Sequence, residues 1–171
     1  MTPDNQISFT GDKVDIHSCG NGDIFQSLVR TGTLSKFVES GGKYVFTSNV
    51  YNLLGYLDHV LVGKHIISGA NVSCEVVERL EDEAGSFLCD VAGSQQIVQD
   101  MKISGSDVKD FRWISTDSYI FNANLNIEPL GKEWNRVQRI NNGKITVQHE
   151  RFIQEITEAY DTKYYSSQRD D

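Results

Sequence analysis

SNVYNLLG, residues 48–55, follows at once on KYVFT, the most strand-like stretch of the chain. A strand that delivers Asn49, Tyr51 and Asn52 into a turn is a common setting for a binding site, because amide side chains at a strand exit offer both donors and acceptors. Tyr51 is the odd member, since a phenol is uncharged at neutral pH. A second candidate is Gly20-Asn21-Gly22-Asp23, a turn in which Asp23 can cap a following helix. A third is the pair Asn122 and Asn124 in SYIFNAN, read on their own as strand-end hydrogen-bonding groups. Cys19, Cys74 and Cys89 form no CxxC, and with His17, His59, His65 and His149 they show no metal-ligand spacing. The 171 residues carry a formal charge of −8 and no cluster of Lys and Arg, which excludes a nucleic-acid backbone as main partner. A small anion held by backbone N–H groups and helix N-termini stays open.

The elements that must position these groups follow from periodicity. Ile24, Phe25, Leu28, Leu34, Phe37 and Val38 recur at helical spacing, interrupted by Thr31-Gly32-Thr33 and stopped by Gly41-Gly42. Tyr44 to Thr47 is a short strand, and residues 57–68 a helix ended by Gly69. NVSCEVVER at 71–79 alternates as a half-buried strand. Helix, strand, helix, strand predicts a parallel sheet with crossover helices. FLCDV and QQIVQDM form a hairpin, Ser106 caps a short helix with Val108 and Phe111, and SYIFNAN is a strand. NRVQRI and KITVQH form a hairpin about Asn141-Asn142-Gly143. A last helix is expected over 150–160, and the tail DTKYYSSQRDD is expected to be loose.

Four collinear segments resemble the UTP–glucose-1-phosphate uridylyltransferases and the related UDP-N-acetylhexosamine pyrophosphorylases. GNGDIFQSLVRTGTLSKFVESGGKYVFTSNVYNLLG resembles the family's G-H-G-D-(I/L)-(Y/F) turn, helix and S-N-(I/V)-D-N-L-G strand exit. CEVVERLEDEAGSFLCDVAGSQQIVQDMKI resembles the next strand, glycine loop and hairpin. YIFNANL resembles the F-N-T-N strand, and EWNRVQRINNGKITVQHERFIQEIT the hairpin and Q-x-E-R helix. The resemblance implies an α/β domain of the GT-A-like nucleotide-diphospho-sugar transferase kind, incomplete on the side of the N-terminal nucleotide loop. It implies a polar lead-in over 1–17, the domain proper over 18–160 and a flexible tail over 161–171.

It also implies roles for single residues. Gly20 would let backbone approach a nucleotide, and Asn21 stands where the family has His. Asn49 matches a sugar-contacting Asn. Tyr51 replaces the Asp that holds Mg²⁺, with Asp58 a weak substitute, so no cofactor is expected even though the family reaction uses Mg²⁺. Gly85 belongs to the glycine loop, where Ala84 leaves no cation. Gln99 falls where a sugar-binding Glu is common, and Asn122 and Asn124 match sugar-contacting positions. Gln148, Glu150 and Arg151 match Q-x-E-R, a pairing more often structural than catalytic. Residues 1–17 contain nothing like the triphosphate-cradling L-x-G-G-x-G-T. The expected function is a uridylyltransferase-like protein, inactive alone, that retains part of a cleft for a UDP-sugar or sugar 1-phosphate. The alternatives are a non-catalytic binding or protein-interaction module, or one half of a split enzyme. A homo-oligomer or partner chain is expected over an exposed sheet edge. A polar N-terminus and short apolar runs point to a cytoplasmic protein without a membrane segment.

Overall fold

The computed structural model describes residues 1–103, 107–125, 134–141 and 143–169. Within the polar first segment, β1 (Phe9–Thr10) and β2 (Lys13–Val14) form a small antiparallel hairpin. α1 (Ile24–Arg30) and α2 (Thr33–Glu39) follow, and the break between them falls at Gly32, whose φ of +69° only glycine adopts at little cost. Next come β3 (Tyr44–Thr47), α3 (His59–Ser68) and β4 (Val72–Glu78). Asp58 caps α3, accepting from Val60 N at 2.9 Å, and Gly69 closes it. β5 (Ser86–Val91) and β6 (Ser94–Gln99) make the expected hairpin, and β7 (Trp113–Asn122) is the long SYIFN strand. β8 (Asn135–Asn141) and β9 (Lys144–Glu150) pair as a separate ribbon, as expected. Ser106 and Asn142 lie outside the described residues.

Six strands form one mixed sheet in the order β10-β4-β7-β5-β6, with β3 paired to β7 alongside β5 and β10 spanning Thr162–Ser167. β3, β4 and β10 point the same way, and β7 runs against all three. The parallel arrangement expected from helix–strand alternation is therefore corrected. β3 and β4 are parallel in direction, joined through α3, but the antiparallel β7 lies between them. The reason is burial. Ser118, Tyr119, Ile120 and Phe121 are all buried, so both faces of β7 are covered and it takes the centre of the sheet. Phe25 of α1 meets Phe121 edge-on at 4.4 Å, and Val72, Cys74, Val76, Ile153 and Ile156 complete the core. A fully buried Phe25 contributes about 2–3 kcal/mol by area.

Two further expectations change. The segment over 161–171 is not a loose tail where it is described. β10 pairs with β4 from Thr162↔Val72 to Ser167↔Val77, because Tyr164 lies against the core and its hydroxyl donates to Gln95 O at 2.8 Å. The helix expected over 150–160 shrinks to a 3-10 turn, Ile153–Glu155, and α4 (Ile156–Ala159). Glu150 ends β9 instead, because it completes the ladder with β8 opposite Asn135.

Candidate functional site

The site begins with a defect in the sheet. Against β4, Cys74 pairs with Tyr119 and Val76 with Ser115, so β7 takes four steps where β4 takes two. The two extra residues bulge outward, and Asp117 at the crest adopts φ +56°, a strained angle for any residue but glycine. The bulge is clamped from both sides. Ser115 Oγ accepts from Asp117 N at 3.0 Å. From the loop after β3, Asn49 Nδ2 donates to Asp117 Oδ2 at 3.0 Å, and Asn52 Nδ2 donates to Thr116 O at 3.2 Å. Each asparagine also closes its own turn: Asn49 Oδ1 accepts from Tyr51 N, and Asn52 Oδ1 from Leu54 N. The two amides around Tyr51 therefore fasten the loop to the bulge, and Tyr51 itself stands 90% exposed at the rim.

A cavity of about 720 Å³ opens here. The carboxyl ends of β3, β4 and β10 reach it through Asn49, Val77 and Ser167, as the crevice of an open α/β sheet requires. Its carboxylates are Asp58, Glu75, Glu83 and Asp117, and Arg169 is the one Lys or Arg among its described lining residues. Arg169 is already engaged, with Glu83 Oε2 at 2.6 Å and Glu78 O at 2.8 Å. Its hydrogen bond and charge help hold the Glu83 carboxyl below the usual range against the opposing effect of burial. Burial pushes the Asp117 carboxyl up, and the Asn49 amide only partly opposes this. A second cavity, about 450 Å³, adjoins the first, and Gln99 and Asp117 line both.

The expected site residues divide into two groups. Asn49, Tyr51, Gly85 and Gln99 line the larger cavity, and Gly20, Asn21 and Gln99 the smaller. Asn122 and Asn124 line neither. The expectation that Asn21, Asn49, Gln99 and Asn122 share one pocket is corrected twice: Asn21 lines only the adjoining smaller cavity, and Asn122 lines neither, because β7 is antiparallel and carries its carboxyl end to the opposite end of the sheet. There Asn122 Oδ1 lies 3.1 Å from His65 Nε2, while Asn122 Nδ2 donates to Ala70 O. Asn124 is an exposed turn residue.

Several side chains in the pocket serve the protein itself. Gln99 Oε1 accepts from Ser86 Oγ at 2.8 Å and from Gln154 Nε2. Asn21 Oδ1 accepts from Ile153 N at 3.0 Å. Gly20 and Gly22 do support a close backbone approach, but of the segment after β9: an added Cβ would come within 2.3 Å of Arg151 O and 2.8 Å of the Phe152 carbonyl. Arg151 pairs with Asp23 at 3.4 Å and covers the Trp134 ring, and Arg139 forks onto Glu150, so Glu150 and Arg151 are structural. The residues do not fit Mg²⁺. Tyr51 offers a phenol and no carboxylate, Asp58 is turned to its helix cap, and no group of three metal-type ligands occurs among the described residues. Asp117 is the residue that sequence reasoning missed. The available signal was an Asp inside a strand run, WISTDSYIF, where Asp is depleted unless a bulge frees it.

The family model for UTP–glucose-1-phosphate uridylyltransferase matches residues 4–165. The chain belongs to that family. A member from Musa acuminata is 32% identical over 107 residues, which are 61% of this chain and 22% of the banana protein. The matched relative from Schizosaccharomyces pombe, described as a probable UTP–glucose-1-phosphate uridylyltransferase, is 26% identical over 106 residues, 21% of its length. This chain thus matches about a fifth of the length of these family members. A UDP-glucose pyrophosphorylase variant from Leishmania major superimposes with a TM-score of 0.75 at 18% identity, covering 98% of this chain and 42% of that one. A second Leishmania variant, solved in complex with UDP-glucose, gives 0.72 at 18% identity over 89% and 38%. At such identities the likeness establishes the α/β fold, a mixed sheet with helices shared with part of the family's larger chains.

Proposed function

We propose that this chain holds the sugar side of a UDP-sugar cleft of GT-A-like kind and does not transfer uridylyl groups by itself. One observation carries the reading. The polar lining of the crevice at the carboxyl ends of β3, β4 and β10 is mostly amides, hydroxyls and carboxylates, and its described cation, Arg169, is paired with Glu83. Such a lining suits neutral hydroxyl groups, whereas a triphosphate demands several cationic or backbone N–H donors. A fold neighbour in complex with UDP-glucose makes that sugar nucleotide the probe to use. The test is a titration of the 171-residue chain with UDP-glucose, followed by amide NMR. Saturable shifts at Asn49, Gly85 and Gln99 support the reading, and an unchanged spectrum overturns it.

A second reading, docking to another polypeptide, is favoured by the loop after β3, where Val50, Tyr51, Leu53, Leu54 and Tyr56 are exposed. β3 is paired on one side only among the described residues, and Thr47 Oγ1 is buried without a partner. A strand from a second chain over β3 would cover that open edge and the exposed loop, and the three thiols, in no disulfide, fit a reducing, cytoplasmic setting.

A further inference from the structure

A strained aspartate persists only where the surrounding structure holds it there. Asp117 has φ +56°, sits half-buried at the crest of the β7 bulge, and lines both cavities. Its Oδ2 is engaged by the Asn49 amide at 3.0 Å, and its backbone N by Ser115. Asn52 holds the neighbouring peptide through Thr116 O. Three hydrogen bonds thus fix the acid and its neighbouring peptide at an angle that glycine would take with less strain.

The other carboxylates of the cleft are placed differently. Glu75 is engaged by Thr116 and Ser167, Glu83 by Arg169, and Asp58 by the end of α3. Among the described residues the hydrogen bond to the Asp117 carboxylate goes to Oδ2, and the residue lines both cavities.

We propose that Asp117 is the hydroxyl-reading residue of this cleft, accepting through Oδ1 from a vicinal diol at the junction of the two cavities while Asn49 and the bulge hold the carboxylate in place. The inference rests on the cleft being a sugar-nucleotide site. It adds a charged acceptor on β7, where the resemblance placed only neutral amides. A UDP-sugar presents diols on both its ribose and its hexose, and one carboxylate oxygen with a second close behind it matches either.

The test uses the full chain and two variants, Asp117→Asn and Asp117→Gly. Asn keeps an oxygen for Asn49 and presents an N–H₂ donor in place of the charged acceptor, and Gly removes the side chain while tolerating the angle. Asn is expected to melt at or above the wild-type temperature, and Gly, which leaves the Asn49 amide without its acceptor, to melt somewhat lower but in one cooperative step, which establishes folding. Calorimetric titration with UDP-glucose should show about a tenfold or greater loss of affinity in both variants, as for a charge-assisted hydrogen bond. Titrations with UDP and with glucose 1-phosphate assign the diol: a loss confined to UDP places the ribose at Asp117, and a loss confined to glucose 1-phosphate places the hexose there. If the wild type binds UDP-glucose and both variants match it within twofold, the assignment of Asp117 is overturned while the cleft stands. If the wild type gives no saturable heat, the functional reading falls and this assignment falls with it.

Discussion

His65 is a buried histidine whose tautomer can be read from its neighbours. Asn122 Nδ2 donates to Ala70 O, so Asn122 Oδ1 faces Nε2 as acceptor and Nε2 carries the proton; Nδ1 then accepts from Ser73 Oγ at 2.8 Å. Burial lowers the imidazole below its ordinary 6.5, with the Asn122 bond in partial opposition. A lowered folded value means that the neutral ring's contribution is fully present above 6.5 and is lost as pH falls through the folded value. Urea unfolding should therefore show a falling midpoint below about pH 6, and His65→Gln should flatten that slope; equal slopes would remove His65 as the cause. Asp117 has the opposite sign. Its raised value makes its contribution fully present below 3.8 and lost as pH rises through the folded value. Asp117→Asn should be more stable than wild type at about pH 7 and indistinguishable at about pH 3. Thermal melts at both values decide it, and a less stable variant at neutral pH would show that the charged form supports the fold.

At the scale of elements, the turn at 20–23 and the segment after β9 act as one unit. Gly22 N donates to Arg151 O, Arg151 N to Cys19 O, and Ile153 N to Asn21 Oδ1. Gly22→Ala would set a Cβ 2.8 Å from backbone atoms of Arg151 and Phe152, which neither segment can yield without moving. It should cost about 2–3 kcal/mol in denaturant unfolding, and a loss below about 0.5 kcal/mol would show that the two segments are not rigidly joined. At the other side of the sheet, β3 has one free edge among the described residues, and no Pro or Lys within Tyr44–Thr47 blunts it. Light scattering is expected to give at least twice the mass of one chain, with amide exchange at Val45 and Thr47 slowed on concentration. A monodisperse monomer with fast-exchanging β3 amides would count against a covered edge.

The whole molecule is acidic, −8 over 171 residues, and its cleft is acidic as well. Incubated with UTP, glucose 1-phosphate and Mg²⁺, the chain alone is expected to release no pyrophosphate above background. The 171 residues contain no L-x-G-G-x-G-T loop, Tyr51 supplies no carboxylate, and Ala84 supplies no cation. A missing donor to a developing charge, such as the loop's backbone N–H groups or a cation at 84, is worth about 3 kcal/mol, or a hundredfold in rate. Clear turnover by the purified chain in a coupled pyrophosphate assay would restore the transferase reading.

Much of this protein was legible in local sequence. Periodicity and turn residues located α1, α2, β3, α3 and β4, and the β5–β6 and β8–β9 hairpins, because each depends on neighbours in the chain: the break at Gly32, the close at Gly69, the alternation of Val72, Cys74 and Val76. Collinear motifs carried the family. Strand order did not follow, since the pairing of β7 between β3 and β4 is chosen by burial of both its faces. That one decision sent Asn122 away from the cleft and brought Asp117 into it. The same holds for β10, whose short polar-looking run gains its strand only from the open edge of β4. Which residues lie near a motif in sequence follows from the chain; which of them face the cleft was decided by strand direction, a property of the assembled sheet.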